Sequence, residues 1–216
     1  MTPIRPRHRV ILCALAVLVT GASDPVREAV PAPGPRFEPP QSGVLFADDF
    51  SHGLGDWQAD HEGVWSIRKN LLRADLPDRK QERSFLYAGS EEWTDYSLDF
   101  DVCAIRGVDK GAAVRVQGDH GIGVDLRGPG YQDVLLHRRE WRLGKARVLN
   151  ANGVWHHVRI AAQGHRYRVW VDGALVLDRT DGKKDRRQGR IALAAYAGGV
   201  GECTVFYDNV IVTRIE

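Results

Sequence analysis

Short runs in which apolar and polar residues alternate, from Val44 to Thr213, constrain this chain more than any other feature. A period of two places successive side chains on opposite faces of a strand, and no long stretch keeps the 3.6-residue period of an amphipathic helix. The runs are rich in β-branched and aromatic residues and are separated by turn residues. Asp172-Gly173 is typical of a two-residue hairpin turn, because both residues accept a positive φ. The pattern therefore predicts a domain of antiparallel strands.

About a dozen antiparallel strands in one domain must close into a sandwich or a barrel, since open sheet edges invite pairing with other chains. The predicted strands are Val44–Phe50, Val64–Arg68, Leu71–Leu76, Ser84–Ala88, Tyr96–Ile105, Ala112–Gln117, Ile122–Arg127, Gln132–Arg138, Ala146–Leu149, Trp155–Ala162, Arg166–Val171, Ala174–Arg179, Arg190–Tyr196 and Thr204–Thr213.

The N-terminal segment MTPIRPRHRVILCALAVLVTGAS has the pattern of a secretory signal: a basic start, a short apolar run and small residues before a cleavage site near Ala22. The apolar run is too short to span a bilayer as a helix, although an uncleaved membrane anchor remains the alternative. We therefore expect residues 1–22 to be a signal peptide, and the mature chain to be secreted or to lie in the periplasm or cell envelope.

Residues 23–43 hold six of the ten prolines and predict a disordered linker, so the folded domain is expected to span residues 44–216. Removing the signal removes three arginines, which leaves 27 basic against 28 acidic side chains. A nearly neutral chain does not indicate a nucleic-acid partner, and we expect no membrane span in the mature chain.

Two cysteines remain after the signal, Cys103 and Cys203. An even pair in an exported chain is compatible with a disulfide, which the chain-entropy model values at roughly 4–5 kcal/mol for a loop of about 100 residues. Two separate buried thiols are the alternative, and the sequence does not decide between them.

Six segments resemble, in order, the strands of concanavalin A-like jelly rolls: LFADDFSHGLGDW, WTDYSLDFDV, GVWHHVRI, RVWVDGALV, GRIALAAY and VFYDNVIV. The resemblance runs from Val44 to Glu216. It is closest to the laminin-G-like and 3-keto-disaccharide-hydrolase-type domains of secreted bacterial proteins. It implies an all-β fold, a two-sheet antiparallel jelly-roll sandwich.

Jelly rolls of this kind bind sugars on a concave sheet, and three successive strands supply polar rows there. The residues expected to face outward and to bind substrate are Arg115, Gln117, Arg127 and Asp133, with Tyr131 and Trp141 at the rim; Asp125 and His137 lie on the same rows. The residues expected to face inward are Val114, Val116, Val124, Leu126, Val134 and Leu136. The alternative is that these rows are the solvated face of an antiparallel sheet.

Catalysis would need carboxylates close to a sugar. Asp125 is a candidate base held by Arg115, and His137 is a candidate proton donor. Asp101, which shares a face with Asp99, is the third candidate. The adjacent residues His156 and His157 point to opposite faces of one strand, so we interpret them as structural.

No cofactor motif is recognisable, but hard oxygen ligands at Asp49 and Asp208 suit a structural Ca²⁺ ion, with an Asx turn as the alternative. Three functions follow. The first is recognition of a carbohydrate partner. The second is glycoside cleavage of the 3-keto-disaccharide hydrolase type. The third is adhesion as a laminin-G-like envelope protein with a protein partner.

Overall fold

The computed structural model describes residues 30–32, 42–77, 82–138, 141–198 and 201–216, and within these ranges it contains fifteen strands and no helix. The strands are β1 (Val44–Asp48), β2 (Gln58–Ala59), β3 (Trp65–Arg68), β4 (Leu71–Leu76), β5 (Arg83–Ala88), β6 (Tyr96–Arg106), β7 (Asp109–Gln117), β8 (His120–Arg127), β9 (Asp133–Arg138), β10 (Trp141–Arg147), β11 (Trp155–Gln163), β12 (Arg166–Val171), β13 (Ala174–Thr180), β14 (Arg190–Tyr196) and β15 (Cys203–Arg214).

The strands form two antiparallel sheets. The first sheet has the order β13-β12-β11-β6-β15-β4-β3, with β1 also paired to β15, and the second has the order β10-β9-β8-β7-β14-β5-β2. All described strand pairs are antiparallel, and strands distant in sequence are neighbours in both sheets, as β6 and β15 are. The predicted all-β, two-sheet jelly-roll sandwich is confirmed.

The core lies between the sheets and follows the alternation of the sequence. All six side chains predicted to face inward on β7, β8 and β9 are at most 3% exposed: Val114, Val116, Val124, Leu126, Val134 and Leu136. Facing them are Leu98, Phe100 and Val102 of β6, each fully buried.

Two buried tyrosines of the first sheet cross the core to the backbone of the second. The Tyr96 hydroxyl donates to Gly189 O at 2.9 Å and accepts from Arg115 N at 2.6 Å. The Tyr207 hydroxyl accepts from Gly111 N at 3.0 Å and lies 2.5 Å from Ala194 O. Burial raises the pKa of both phenols, so both stay neutral donors.

The predicted hairpin at Asp172-Gly173 is confirmed between β12 and β13, with φ values of 50° and 80°. The segment predicted as Ala146–Leu149 is instead the end of β10, which begins at Trp141. A bulge between Arg142 and Gly144 breaks the alternation there, which explains the shifted prediction. The two-residue strand β2 was not predicted, because two residues carry no period.

The predicted signal peptide, residues 1–22, lies outside the described residues, and so does most of the predicted linker. Of the linker, Ala32 accepts a hydrogen bond from the Trp155 indole at 2.6 Å. Within the described segments no helix is long and apolar enough to cross a membrane.

Cys103 and Cys203 are buried free thiols. Cys103 lies opposite Phe206 in the pairing of β6 with β15, and Cys203 is three residues further along β15. Three residues of strand span about 10 Å, beyond the roughly 7 Å that a disulfide tolerates between Cα atoms. The disulfide alternative is therefore wrong for this structure. Burial raises the pKa of Cys103 to about 11 and of Cys203 to about 12, so neither is a reactive thiolate.

Candidate functional site

The outer face of the second sheet has a floor of small residues at its centre. Ala113 of β7 lies opposite Gly123 of β8 on one side and Ala192 of β14 on the other. One step along the strands, Gly111 lies opposite Ala194. Because these five positions carry at most a methyl group, the sheet is hollowed between its larger side chains.

Larger side chains wall this floor on both sides. On β5, Phe85 pairs with Ala194 and Tyr87 with Ala192, which forms an aromatic wall. Asp125 and His137, on β8 and β9, form the facing wall. The resulting groove has a volume of about 680 Å³, which lies in the range of small-molecule sites.

Asp125 and His137, two of the three candidate catalytic residues, lie close together in the groove. His137 Nε2 lies 3.0 Å from Asp125 Oδ2, and both side chains are about a quarter exposed. The imidazole occupies the space above Gly123, since a Cβ atom there would lie 2.4 Å from His137 Nε2. Glycine at this position therefore allows the pair to form.

Asp109 is a groove residue that the sequence analysis missed. It lies opposite Arg127 on β8 and Tyr196 on β14, diagonal to Asp125, and its Oδ1 has no hydrogen-bond partner among the described residues. Burial, with a smaller contribution from the charge of Asp125, raises its pKa to about 6. The alternation of Asp109 with Gly111 and Ala113 was the available signal, but the strand was predicted to start only at Ala112.

The raised pKa of Asp109 predicts that Asp109→Asn stabilises the fold at neutral pH. The folded state favours the protonated carboxyl. Its contribution to the free energy of unfolding is therefore fully present below pH 3.8 and is lost as the pH rises through about 6. At pH 8 we expect asparagine to raise Tm by about 3–6 °C, the equivalent of about 1–2 kcal/mol.

Thermal unfolding of wild type and Asp109→Asn at pH 8 and pH 4 measures this effect. At pH 4 the two proteins are expected to unfold at the same temperature. An equal gain at both pH values would show that the effect is not the ionisation of Asp109.

Arg127 and Asp133 form an ion pair at the end of the groove instead of two independent sugar ligands. Arg127 donates to both carboxylate oxygens of Asp133, at 2.7 and 3.0 Å, and Lys145 Nζ lies 2.9 Å from the same carboxylate. Asp133 is 1% exposed, so its prediction as an outward ligand is wrong. Tyr131 covers the Arg127 guanidinium, 4.2 Å from its ring centroid, and is 53% exposed.

Arg115 was predicted to face outward, and this is wrong. Its side chain is fully buried, and Nη2 lies 2.8 Å from Asp95 Oδ1. A register shift between Val114 and Gln117, with a φ of 54° at Arg115, turns the side chain inward. Gln117 and Trp141 lie on the second sheet but do not line the groove.

Asp101 belongs to β6 of the first sheet, so it cannot join Asp125 and His137 in one cleft. It is 1% exposed and accepts hydrogen bonds from His157 at 2.8 Å and Asn209 at 2.7 Å. The structure thus supports a structural interpretation of His157.

The two predicted calcium ligands hold backbone groups. Asp49 is exposed and accepts from Ser51 N at 3.0 Å, and Asp208 accepts from Asn209 N at 2.8 Å. Across the described ranges no group of three or more His, Cys, Asp or Glu side chains could hold a metal ion. The calcium ion stays a prediction.

The family model of the 3-keto-alpha-glucoside-1,2-lyase-like domain matches residues 43–213, which include both sheets and the groove. No curated protein matches the sequence.

Several solved structures share the fold. The carbohydrate binding module CBM66 from Bacillus subtilis is 18% identical with a TM-score of 0.60, and the alignment covers 73% of this chain and 95% of the module. A putative glycosyl hydrolase from Parabacteroides distasonis is 16% identical with a TM-score of 0.56, and the alignment covers 78% of this chain and 98% of the hydrolase. The Crh5 transglycosylase is 15% identical with a TM-score of 0.59, and the alignment covers 82% of this chain and 88% of the transglycosylase.

Proposed function

Since the chain belongs to the family of 3-keto-alpha-glucoside-1,2-lyase-like domains, we propose that its groove binds a 3-keto-α-glucoside and cleaves it by elimination. The observation that carries the proposal is the arrangement of Asp125, His137 and Asp109 around a floor that can take one sugar ring. Two carboxyl groups in one groove can divide the work of proton transfer, and the raised pKa of Asp109 suits it to the role of acid.

The elimination balances without a cofactor. A carbonyl at C3 makes the C2 proton acidic, so a base can remove it. The electron pair then forms a C1=C2 double bond, the C1–O1 bond breaks, and the leaving oxygen takes a proton. The products are an unsaturated 3-keto sugar and the free aglycone.

Asp125 is the base in this proposal and Asp109 is the acid. The Asp125 side chain is 27% exposed to the groove, and His137 Nε2 lies 3.0 Å from its Oδ2. Asp109 has a pKa of about 6, which keeps a useful fraction protonated near neutral pH. This assignment replaces His137 as proton donor, because the imidazole is engaged with Asp125.

The aromatic wall supports sugar binding. Phe85 and Tyr87 line the groove with ring centroids 6.0 Å apart, and so supply aromatic surface against which a sugar ring can pack. Arg83 and Arg142 line the same groove and can donate to hydroxyl groups. We propose that this is the concave sheet of the jelly roll and that the protein acts after export.

A glycan-binding module without turnover is the second candidate. It is favoured by the aromatic wall and by the fold likeness to the module named CBM66. The two functions differ in one measurable property, which is the release of aglycone.

The test uses a panel of 3-keto-α-glucosides and the parent α-glucosides, incubated with the wild-type protein. We expect aglycone release from the keto substrates only, together with ultraviolet absorption from the conjugated enone. Cleavage of the parent glucosides at the same rate would contradict elimination. Saturable binding without aglycone release would leave the binding module.

A further inference from the structure

A second hollow, of about 550 Å³, lies on the outer face of the first sheet, on the side of the sandwich opposite to the groove. Ala161 of β11 forms its floor, and the strand pairing places Arg159 opposite Trp170 and Ala161 opposite Arg168. The two arginines are therefore diagonal neighbours on either side of a methyl group, next to an indole.

Neighbouring residues do not use all the hydrogen-bond donors of these two arginines. Arg159 makes two long contacts, 3.4 Å to Ser97 Oγ and 3.8 Å to Asp99 Oδ2. Arg168 donates to Gln163 at 3.2 Å, and its buried Nε has no hydrogen-bond partner among the described residues. A guanidinium carries five N–H donors, so most of their capacity is available to a ligand.

Arg166, two residues from Arg168 on the same face of β12, is a contrast. It forms a bidentate ion pair with Asp178. Its Nε donates to Oδ1 at 2.7 Å and its Nη2 donates to Oδ2. Arg168 and Arg166 thus differ, since the charge of Arg166 is already paired with a carboxylate.

The charge of the hollow is positive. His157 lines it, and hydrogen bonds to Asp101 and Asp99 raise its pKa to about 9, so it is a cation at neutral pH. Three cations therefore face two buried carboxylates. The guanidinium carbons of Arg159 and Arg168 lie 5.9 and 5.5 Å from the Trp170 ring centroid.

We propose that this hollow binds an acidic saccharide, whose carboxylate or sulfate lies between Arg159 and Arg168 while its ring stacks on Trp170. Paired guanidinium groups suit planar or tetrahedral anions, because they donate two parallel hydrogen bonds. An aromatic face beside them suits a sugar ring more than an isolated ion. The site would attach the protein to an acidic polysaccharide while the groove stays open.

The test is calorimetric titration of the wild-type protein with an oligogalacturonate, with a sulfated oligosaccharide of similar length, and with a single-stranded DNA oligomer. We expect saturable binding of one of the two acidic saccharides. Trp170→Ala and Arg168→Ala are each expected to weaken it about tenfold. Arg68→Ala, which removes an exposed positive charge from β3 at the far edge of the same sheet, is expected to leave it unchanged.

Three outcomes would overturn the proposal. They are no binding of either acidic saccharide, equal weakening by Arg68→Ala and Arg168→Ala, and DNA binding as tight as saccharide binding. The last two would indicate unspecific attraction of polyanions. The site does not depend on the proposed cleavage, since it lies on the other sheet. Asp125→Asn is expected to leave this binding intact.

Discussion

Asparagine in place of Asp125 is expected to lower the rate of aglycone release from a 3-keto-α-glucoside by about 10²–10⁴-fold. Asparagine has nearly the same shape as aspartate, but it cannot accept the C2 proton. The groove floor and the aromatic wall stay unchanged, so the substrate is still bound. The measurement is kcat and KM from the appearance of the enone, with most of the loss in kcat.

Asp56→Asn is a suitable control, because Asp56 is an exposed carboxylate in the loop before β2. It is expected to keep the wild-type rate. If Asp125→Asn remains active while Asp109→Asn does not, the two carboxyl groups have been assigned to the wrong roles. If both variants keep full activity, the groove is not where cleavage occurs.

Alanine in place of Arg115 is expected to destabilise the protein by about 3 kcal/mol, because one partner of a buried charged network is removed. Besides Asp95, the Arg115 guanidinium contacts Arg186 O at 2.8 Å, Tyr167 Oη at 3.4 Å and Gly164 O. These carbonyls would lose a charged donor inside the fold. For a domain of this size the change corresponds to a Tm about 6–12 °C lower.

Thermal unfolding of Arg115→Ala, Arg115→Lys and Arg166→Ala measures this effect. Lysine keeps the charge but cannot span all the acceptors, so its Tm is expected to lie between those of wild type and Arg115→Ala. Arg166 is exposed, and its replacement is expected to change little. If Arg115→Ala kept its Tm and lost sugar binding instead, Arg115 would be a ligand, as the sequence suggested.

The sequence predicted those parts of the molecule that depend on local alternation. Val124 and Leu126 face the core and Asp125 faces the groove, because β8 is a regular strand whose neighbour β9 follows directly in the chain. Arg115 was misplaced because the same counting was carried through a bulge, where one extra residue reverses the inward and outward sides.

The remaining differences arise from long-range packing. Asp101 lies on the first sheet because β6 pairs with β11 and β15, which no local pattern reveals. The pKa of Asp109 depends on how deeply the groove buries it, and burial is a property of the assembled sandwich. The cysteines, likewise, are separated by the register of two strands that lie far apart in sequence.

The hydroxyl of Tyr207 touches Gly111 and Ala194, two residues of the groove floor, from underneath. The groove floor is therefore anchored by hydrogen bonds to the opposite sheet of the sandwich. Binding of a ligand therefore costs little free energy for ordering the groove floor. We expect such a rigid floor to select ligands by shape. A sugar with one hydroxyl in the wrong orientation should bind more weakly, because the floor cannot rearrange to accommodate it.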